Sequence, residues 1–168
     1  ALMAAAMNGH VSCIEALVGH NADVGAATED GWTALMAAAQ NGHVPCINAL
    51  VGYNAEVGMA ANDGWTALMA AAEKGHVFCV EALVGYSAHV GAARLDGWTA
   101  LMSAAEHGHL SCIEALVGHN AAVQSATNGG WTALMSAAEH GHQSCIEALV
   151  GYNADINSTA DDGWTALM

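Results

Sequence analysis

The hexapeptide GWTALM occupies residues 31–36, and the same six letters recur at intervals of 33 residues. The further copies lie at residues 64–69, 97–102, 130–135 and 163–168. A constant interval without insertions indicates a tandem repeat, in which each unit is a small supersecondary structure packed on the next. The units of the chain are 1–29 (partial), 30–62, 63–95, 96–128, 129–161 and 162–168 (partial). All 168 residues therefore belong to one repeat array.

Each unit has the pattern of two short helices. In the first complete unit, Thr33 is suited to cap the N-terminus of a helix of about two turns, and Gly42 is suited to end it. Pro45 suits the first turn of a second helix, after which Gly52 and Asn54 can take a positive φ.

The small and turn-forming residues at 55–64 are typical of a hairpin that leads into the next unit. Isolated helices need about 12 to 15 residues to be stable in water, so helices of this length depend on packing. We therefore expect every unit to be stabilised mainly by its two neighbours.

Several motifs recur in every complete unit or nearly so, chiefly D-G-x-T-x-L, A-A-x-x-G-H and the apolar pair of the second helix, and N-A-D-V stands at residues 21–24. With these motifs the whole chain resembles the ankyrin-repeat family. The resemblance implies an all-α fold class, namely an ankyrin-type α-solenoid of 33-residue helix-turn-helix plus hairpin repeats.

One motif departs from the family, because T-A-L-M stands where T-P-L-H is usual. A methionine thus replaces the histidine that would bond the threonine hydroxyl, and we expect a less rigid repeat. The methionines concerned are Met36, Met69, Met102, Met135 and Met168. The pairing of TALM with N-G-H-x-x-C at residues 41–46 is also similar to ankyrin arrays of flagellated protists. That similarity implies that the protein is cytoplasmic and, more specifically, that it is associated with the cytoskeleton.

The two ends of the chain do not look like capping repeats. Ankyrin arrays are expected to carry terminal repeats with polar outer faces, whereas residues 1 and 168 both fall where a first helix is predicted. We therefore expect the chain to be an internal part of a longer solenoid. Uncovered apolar faces would also permit end-to-end or lateral self-association.

The charge of the chain excludes several partners. Two basic residues stand against 16 acidic ones, which gives a formal net charge of -14. Nucleic acids and anionic membranes require clustered Lys and Arg, so neither is expected as a partner. No apolar run approaches the roughly 20 residues of a membrane span. A basic protein partner is favoured instead, because opposite charge raises the rate of encounter.

Cysteine and histidine recur in every complete unit but do not predict a metal site. Adjacent helices pack about 8 to 10 Å apart, which exceeds the limit of about 7 Å between the Cα atoms of a disulfide. Zinc requires four close ligands, whereas each unit offers one cysteine and one histidine. The resemblance implies a structural turn role for that histidine. The columns are Cys13, Cys46, Cys79, Cys112 and Cys145, with His10, His43, His76, His109 and His142.

We expect the five cysteines to be buried small hydrophobes. The additional histidines His107 and His140 are expected to be solvated surface residues. The oxygen-rich segment 155–163 lacks the spacing of an EF-hand loop. No cofactor and no metal are therefore predicted.

The sequence contains no catalytic triad, phosphate loop or enclosed pair of carboxylates, and we predict no catalytic residue. In ankyrin proteins the binding face consists of the hairpin tips and the exposed end of the first helix. The resemblance assigns this role to Trp32, Trp65, Trp98, Trp131, Glu73, Lys74, Leu95, Asp96, Glu106, His107, Glu139 and His140.

The tryptophan column has two interpretations. An identical residue in all units favours a framework role, whereas tryptophan outside a core is typical of binding hot spots. We expect each indole to stack on the next hairpin by one face and to be open to a partner by the other. A second acidic column, Glu15, Glu81, Glu114 and Glu147, is expected to form a solvated face.

These patterns predict a non-catalytic protein–protein interaction scaffold. A structural repeat element of a large cytoskeletal or filamentous assembly is the alternative, and the regulatory arm of an enzyme is a third possibility. A recognition module should vary along its binding face, whereas a structural polymer should repeat one contact in every unit.

Overall fold

The computed structural model describes residues 1–168 and contains ten α-helices and no β-strand. Each complete unit contributes a first helix of seven residues and a second helix of nine residues. The helices are α1 (Leu2–Met7), α2 (Val11–Gly19), α3 (Ala34–Gln40), α4 (Val44–Gly52), α5 (Ala67–Glu73), α6 (Val77–Gly85), α7 (Ala100–Glu106), α8 (Leu110–Gly118), α9 (Ala133–Glu139) and α10 (Gln143–Gly151).

The first helices pack on one another in chain order, and the second helices do the same in a parallel layer. One continuous core runs between the two layers, formed mainly by alanine, leucine and methionine of the first helices and isoleucine, leucine and cysteine of the second. This arrangement confirms the predicted all-α, ankyrin-type solenoid. No helix is both long enough and apolar enough to cross a membrane.

The first helices of the complete units begin at a threonine N-cap, as predicted for Thr33. The hydroxyl of Thr33 accepts a hydrogen bond of 3.3 Å from the backbone N–H of Met36, and the same contact recurs at Thr66, Thr99 and Thr132. The side chain of Met36 is fully buried. The hydroxyl therefore has a partner without the usual histidine, and the methionine adds to the core.

The second helices also begin as predicted, because Pro45 lies in the first turn of α4. Their C-terminal ends differ from the prediction at one position. Asn54 takes a positive φ of 65°, whereas Gly52 is the last residue of the helix and has no positive φ. The chain thus takes the left-handed conformation two residues after Gly52, at an asparagine, which tolerates that conformation.

The hairpins join adjacent units edge to edge. The first four hairpins each close with an isolated antiparallel bridge, such as that between Ala60 and Thr66. The backbone N–H of Leu95 donates to the carbonyl of Asp63 in the preceding hairpin at 3.0 Å. Gly64 has a φ of 91°, and a Cβ on it would lie 2.7 Å from the Cα of Arg94. The close approach of the two hairpins therefore requires glycine at this position.

The histidine of G-H ties each unit to the one before it. The Nε2–H of His76 donates to the carbonyl of Gln40 at 3.1 Å, at the C-terminal end of α3. A backbone carbonyl can only accept, so Nε2 carries the proton. The same bond links His43 to Met7, and further copies link His109 to Glu73 and His142 to Glu106. The structural role implied for this histidine is thus an inter-repeat helix cap.

The cysteines are all reduced, and four of the five are buried as predicted. Burial raises the pKa of the Cys79 and Cys112 thiols to about 11. The prediction is wrong for Cys13, which is exposed. In the later units this side of the second helix is covered by the second helix of the preceding unit, a contact that α2 does not make in the structure.

The last residues also differ from the prediction. Residues 165–168 form a turn and not the start of a first helix. The N–H of Met168 bonds the carbonyl of Thr165 three residues earlier at 3.3 Å, which is a turn contact and not an α-helical one. Met168 is consequently exposed, unlike the other methionines of the TALM motif.

Candidate protein-binding groove

The tryptophans form a row along one side of the first-helix layer. Each lies directly before the threonine N-cap of its unit, at the junction of hairpin and first helix. Trp32, Trp65, Trp98 and Trp131 are all partly buried, and the first three pack against the core. One part of each indole therefore belongs to the framework while another part faces solvent.

Carboxylates flank this row on both sides. Acidic residues of the hairpins lie on one side, and the last residues of the first helices lie on the other. We name the resulting surface the Trp–acid groove. Its members are Trp32, Trp65, Trp98, Trp131, Asp30, Asp63, Asp96, Glu73, Glu106 and Glu139.

Two clefts open between successive tryptophans of the groove, and a third lies at the C-terminal end of the row. The cleft between Trp32 and Trp65 has a volume of about 500 Å³, and the cleft between Trp65 and Trp98 has about 270 Å³. A third cleft, of about 230 Å³, separates Trp131 from Trp164. The clefts are open to solvent and not enclosed, so they suit side chains of a partner better than a buried small molecule.

Two of the indoles are fixed by hydrogen bonds from their N–H edge. The Nε1–H of Trp98 donates to Oγ of Ser103 at 2.9 Å, and Ser103 in turn donates to the carbonyl of Thr99 at 3.3 Å. Trp131 and Ser136 repeat the arrangement, also at 2.9 Å. Because the serines are buried within the helices, they hold the rings in one orientation.

The indole of Trp65 lacks this partner. Its Nε1 is buried and makes no hydrogen bond, because Ala70 stands at the position that serine occupies in the later units. A buried N–H without a partner costs free energy that a hydroxyl could recover.

Arg94 also lines the groove, although it was not among the residues predicted from the sequence. Its guanidinium carbon lies 5.2 Å from the centroid of the Trp65 ring, a cation–π contact. The same guanidinium lies 3.6 Å from the carboxylate of Asp63 and 3.4 Å from that of Asp96. The available signal was an arginine, one of the two Lys and Arg residues of the chain, two residues before Asp96 in its hairpin.

The remaining candidate residues fall in different places. Lys74 pairs with Glu73 at 2.8 Å and does not line a cleft of the groove. Leu95 projects from its hairpin tip with 76% of its surface exposed. Among the candidates, the tryptophans and carboxylates therefore come together, and these two residues lie beside them.

His107 and His140 cap the C-terminal ends of their first helices. The Nδ1–H of His107 donates to the carbonyl of Ser103 at 3.0 Å, and its ring stacks on His109 with centroids 6.1 Å apart. His140 makes the same two contacts with Ser136 and His142. His107 also lines the cleft between Trp65 and Trp98, so it borders the groove while capping α7.

The environment of His109 lowers the pKa of its imidazole. Partial burial is the main cause that lowers its pKa, opposed by its hydrogen bond to the carbonyl of Glu73 and assisted by the neighbouring His107, His76 and His142. The neutral form is thus the one that suits the stack of repeats.

The second acidic column lies on the other helix layer and is exposed, as predicted, and one of its members also contacts the next unit. Nε2 of His119 lies 2.9 Å from the carboxylate of Glu81 in the preceding unit, and the Tyr86 hydroxyl donates to Asn48 at 3.2 Å. This face links neighbouring units. No group of three or more His, Cys, Asp or Glu side chains comes close enough to bind a metal ion together.

The chain was compared with known proteins. A family model described as "Ankyrin repeats (3 copies)" matches residues 2–94 and 85–160. None of the curated proteins matches the chain. The periodic motifs, the two-layer helix stack and this match lead to one conclusion: the chain belongs to the ankyrin-repeat family, whose members are generally non-catalytic protein–protein interaction modules.

Proposed function

We propose that this chain binds a segment of a basic protein along the Trp–acid groove. The observation that carries the proposal is the row of four half-buried tryptophans with carboxylates on both sides. Clefts lie beside successive tryptophans of the groove, as the side chains of an extended partner segment would require.

The indoles are suited to be the anchors of such an interface. Tryptophan is enriched among the residues that dominate binding free energy. Burial of one part of the ring, and the bonds from Trp98 and Trp131 to buried serines, orient these indoles before a partner arrives. An anchor that is already ordered loses less entropy on binding.

The charge of the groove favours a basic partner. The net charge of the chain is -14, and both of its cations, Lys74 and Arg94, are already paired with carboxylates. Glu106 and Glu139 have only adjacent histidines as possible partners. A surface of nearly one sign increases the rate of association with a partner of the opposite sign, in a manner that salt weakens.

A second candidate function is that of a structural repeat element in a large cytoskeletal or filamentous assembly. The observation in its favour is regularity, because the histidine–carbonyl bond and the tryptophan recur in every complete unit. In this role the chain would be cytoplasmic, would continue into a longer solenoid, and would self-associate end to end or laterally.

A peptide selection tests the proposed partner. A random peptide library displayed on phage is panned against the immobilised chain, and affinities of the enriched peptides are then measured at several salt concentrations. We expect enrichment of Arg and Lys and an affinity that decreases as salt shortens the Debye length to about 8 Å and below. Enriched peptides without basic residues would contradict the proposed partner.

Matched variants locate the binding surface. In Glu73→Gln/Glu106→Gln the groove loses two charges, and in the control Glu114→Gln/Glu147→Gln the second-helix layer loses the same number. We expect the first variant to bind the selected peptides more weakly, by roughly threefold or more, since rim charges each contribute modestly. The control should bind as the wild type does. Equal losses in the two variants would show that net charge and not the groove determines affinity.

Replacing one indole tests the anchors directly. We expect Trp98→Ala to weaken a selected peptide by about 30-fold, which corresponds to the hot-spot threshold of about 2 kcal/mol. The variant should also unfold more easily, by about 2 kcal/mol, because truncation of a fully buried aromatic costs about 3 to 5 kcal/mol and Trp98 is half-buried. Binding is therefore measured at a temperature where circular dichroism shows the variant to be folded.

A further inference from the structure

Arg94 shows which kind of side chain can bind beside a tryptophan of the Trp–acid groove. Its guanidinium lies over the indole of Trp65, between the carboxylates of Asp63 and Asp96. Only 30% of the Arg94 side chain is exposed. The chain thus fills this place in the groove with a cation of its own.

The preceding unit has the same framework around Trp32. Asp30 and Asp63 stand there in the places of Asp63 and Asp96, 33 residues earlier in the chain. The backbone agrees as well, because the N–H of Asn62 donates to the carbonyl of Asp30 at 2.9 Å, and Leu95 makes the equivalent bond at 3.0 Å.

The side chain that would fill this second place is missing. Ala61 occupies the position equivalent to Arg94. The cleft of about 500 Å³ is lined there by Asp30, Trp32, Ala61 and Asp63. An aromatic face and two carboxylates therefore border open space where the next unit holds a guanidinium.

The carboxylate of Asp30 is also available. In the hairpins of Trp65, Trp98 and Trp164 the equivalent aspartate accepts from the backbone, as Asp63 does from the N–H of Trp65 at 3.0 Å. In the hairpin of Trp32 the hydroxyl of Thr28 takes that N–H instead, at 3.0 Å. Asp30 consequently makes no side-chain hydrogen bond or ion pair, and both of its oxygens can face an incoming cation.

The later units do not offer the same set. Beside Trp98 the second carboxylate is replaced by Gly129, and beside Trp131 the first one is replaced by the same glycine. Arg94 borders the cleft of Trp32 too, but its charge is compensated by Asp63 and Asp96. The unpaired carboxylate of Asp30, the carboxylate of Asp63 that is shared with Arg94, an indole and a vacant place thus occur together at Trp32.

We propose that Trp32, Asp30 and Asp63 form a subsite for an arginine side chain of the partner protein. This inference rests on the proposed function and names the residue that the partner presents. A planar guanidinium stacks on an aromatic ring and pairs with carboxylates through several N–H groups, whereas a lysine ammonium is a compact point charge without that geometry. The subsite therefore prefers arginine over lysine.

The test uses a peptide with a single cation and the indole N–H signals of the chain. The peptide acetyl-Gly-Gly-Arg-Gly-Gly-amide is titrated into ¹⁵N-labelled protein, and the Nε1–H resonances are followed by NMR. Peptides with lysine or with the neutral isostere citrulline at the same place serve as comparisons. We expect the Trp32 resonance to shift most with the arginine peptide, less with lysine and little with citrulline.

Two variants separate this subsite from the rest of the groove. Ala61→Arg installs the residue that the next unit already holds, so it should fold and reduce the affinity at Trp32 by at least tenfold. Arg94→Ala should make the Trp65 resonance respond to the peptide as Trp32 does. Asp30→Asn, which alters a carboxylate without a structural partner, should weaken binding at Trp32 and leave the melting temperature unchanged.

The possible failures are distinguishable. The inference is overturned if the Trp32 resonance does not move, if citrulline acts as arginine does, or if Ala61→Arg binds as the wild type does. If peptides from the phage selection still perturb Trp98 while Trp32 is silent, the subsite is wrong and the proposed function stands. If no basic peptide perturbs any indole, both proposals fail.

Discussion

The contrast between Trp65 and Trp98 leads to a prediction about stability. The indole N–H of Trp98 is bonded to Ser103, whereas that of Trp65 is buried without a partner above Ala70. The substitution Ala70→Ser introduces the hydroxyl that the later units carry. In those units the hydroxyl also donates to the threonine carbonyl four residues earlier, as Ser103 does to Thr99. Both of its hydrogen-bonding roles are therefore met.

The expected gain follows from two opposing effects. A hydrogen bond to a buried, unpaired N–H contributes about 1 to 1.5 kcal/mol. Serine in a helix costs about 0.5 kcal/mol relative to alanine. Ala70→Ser should therefore stabilise the chain by about 0.5 to 1 kcal/mol. The reverse change, Ser103→Ala, leaves an indole N–H unpaired and regains the helix propensity of alanine, so it should destabilise the chain by a similar amount, about 0.5 to 1 kcal/mol.

Urea unfolding followed by circular dichroism measures both changes. The control is Ala71→Ser, at a position that is equally buried and carries alanine in every unit; we expect it to destabilise the chain. The comparison is valid where the denaturant slopes agree, because repeat arrays can unfold in more than one step. If Ala70→Ser destabilises the chain as much as Ala71→Ser does, the explanation from the unpaired indole is wrong.

Three further predictions concern single residues. Cys13 should react with a disulfide reagent within minutes while the four buried thiols react only on unfolding, because burial raises their pKa values; fast reaction of a second thiol under native conditions would contradict this. The folded pKa of His109 is lowered, so its contribution to stability is complete above the unfolded pKa of about 6.5 and is lost as the pH falls below it. Urea midpoints between pH 7.5 and 6 should decrease less in His109→Gln than in the wild type, with His10→Gln as control; equal slopes in all three proteins would refute the assignment. Ser87 has a φ of 66° where the other units have asparagine, and Ser87→Asn should raise stability by about 0.5 kcal/mol in urea unfolding; a loss of stability would show that the left-handed conformation is not the determining factor.

Much of the fold follows from the sequence because it depends on local signals repeated five times. Thr33 and Pro45 mark helix starts through their own chemistry, and these positions were predicted correctly. Gly52 was assigned wrongly because asparagine two residues later can also take the left-handed conformation, so the local pattern was ambiguous. Cys13 was assigned wrongly because its burial depends on a preceding second helix and not on its own unit.

The candidate site was predicted in outline but not in its contacts. The position of the tryptophans follows from the repeat, because residues at the same position of successive units lie in a row along the stack. Arg94 could not be found in this way, because its contacts join three residues from two hairpins. The inter-repeat bond of His76 spans 36 residues and likewise depends on how the units stack. Periodicity thus locates columns of residues, whereas contacts between units require the geometry of the stack.

The most direct test of the Trp–acid groove is the location of a bound basic partner. A peptide from the phage selection is synthesised with a photoreactive benzophenone residue, irradiated with the chain, and the cross-linked position is found by mass spectrometry. The account predicts cross-links to residues that line the groove, between Trp32 and Trp131, and their loss in Trp98→Ala. Cross-links confined to the second-helix layer, near Glu81 or Tyr86, would contradict the central claim.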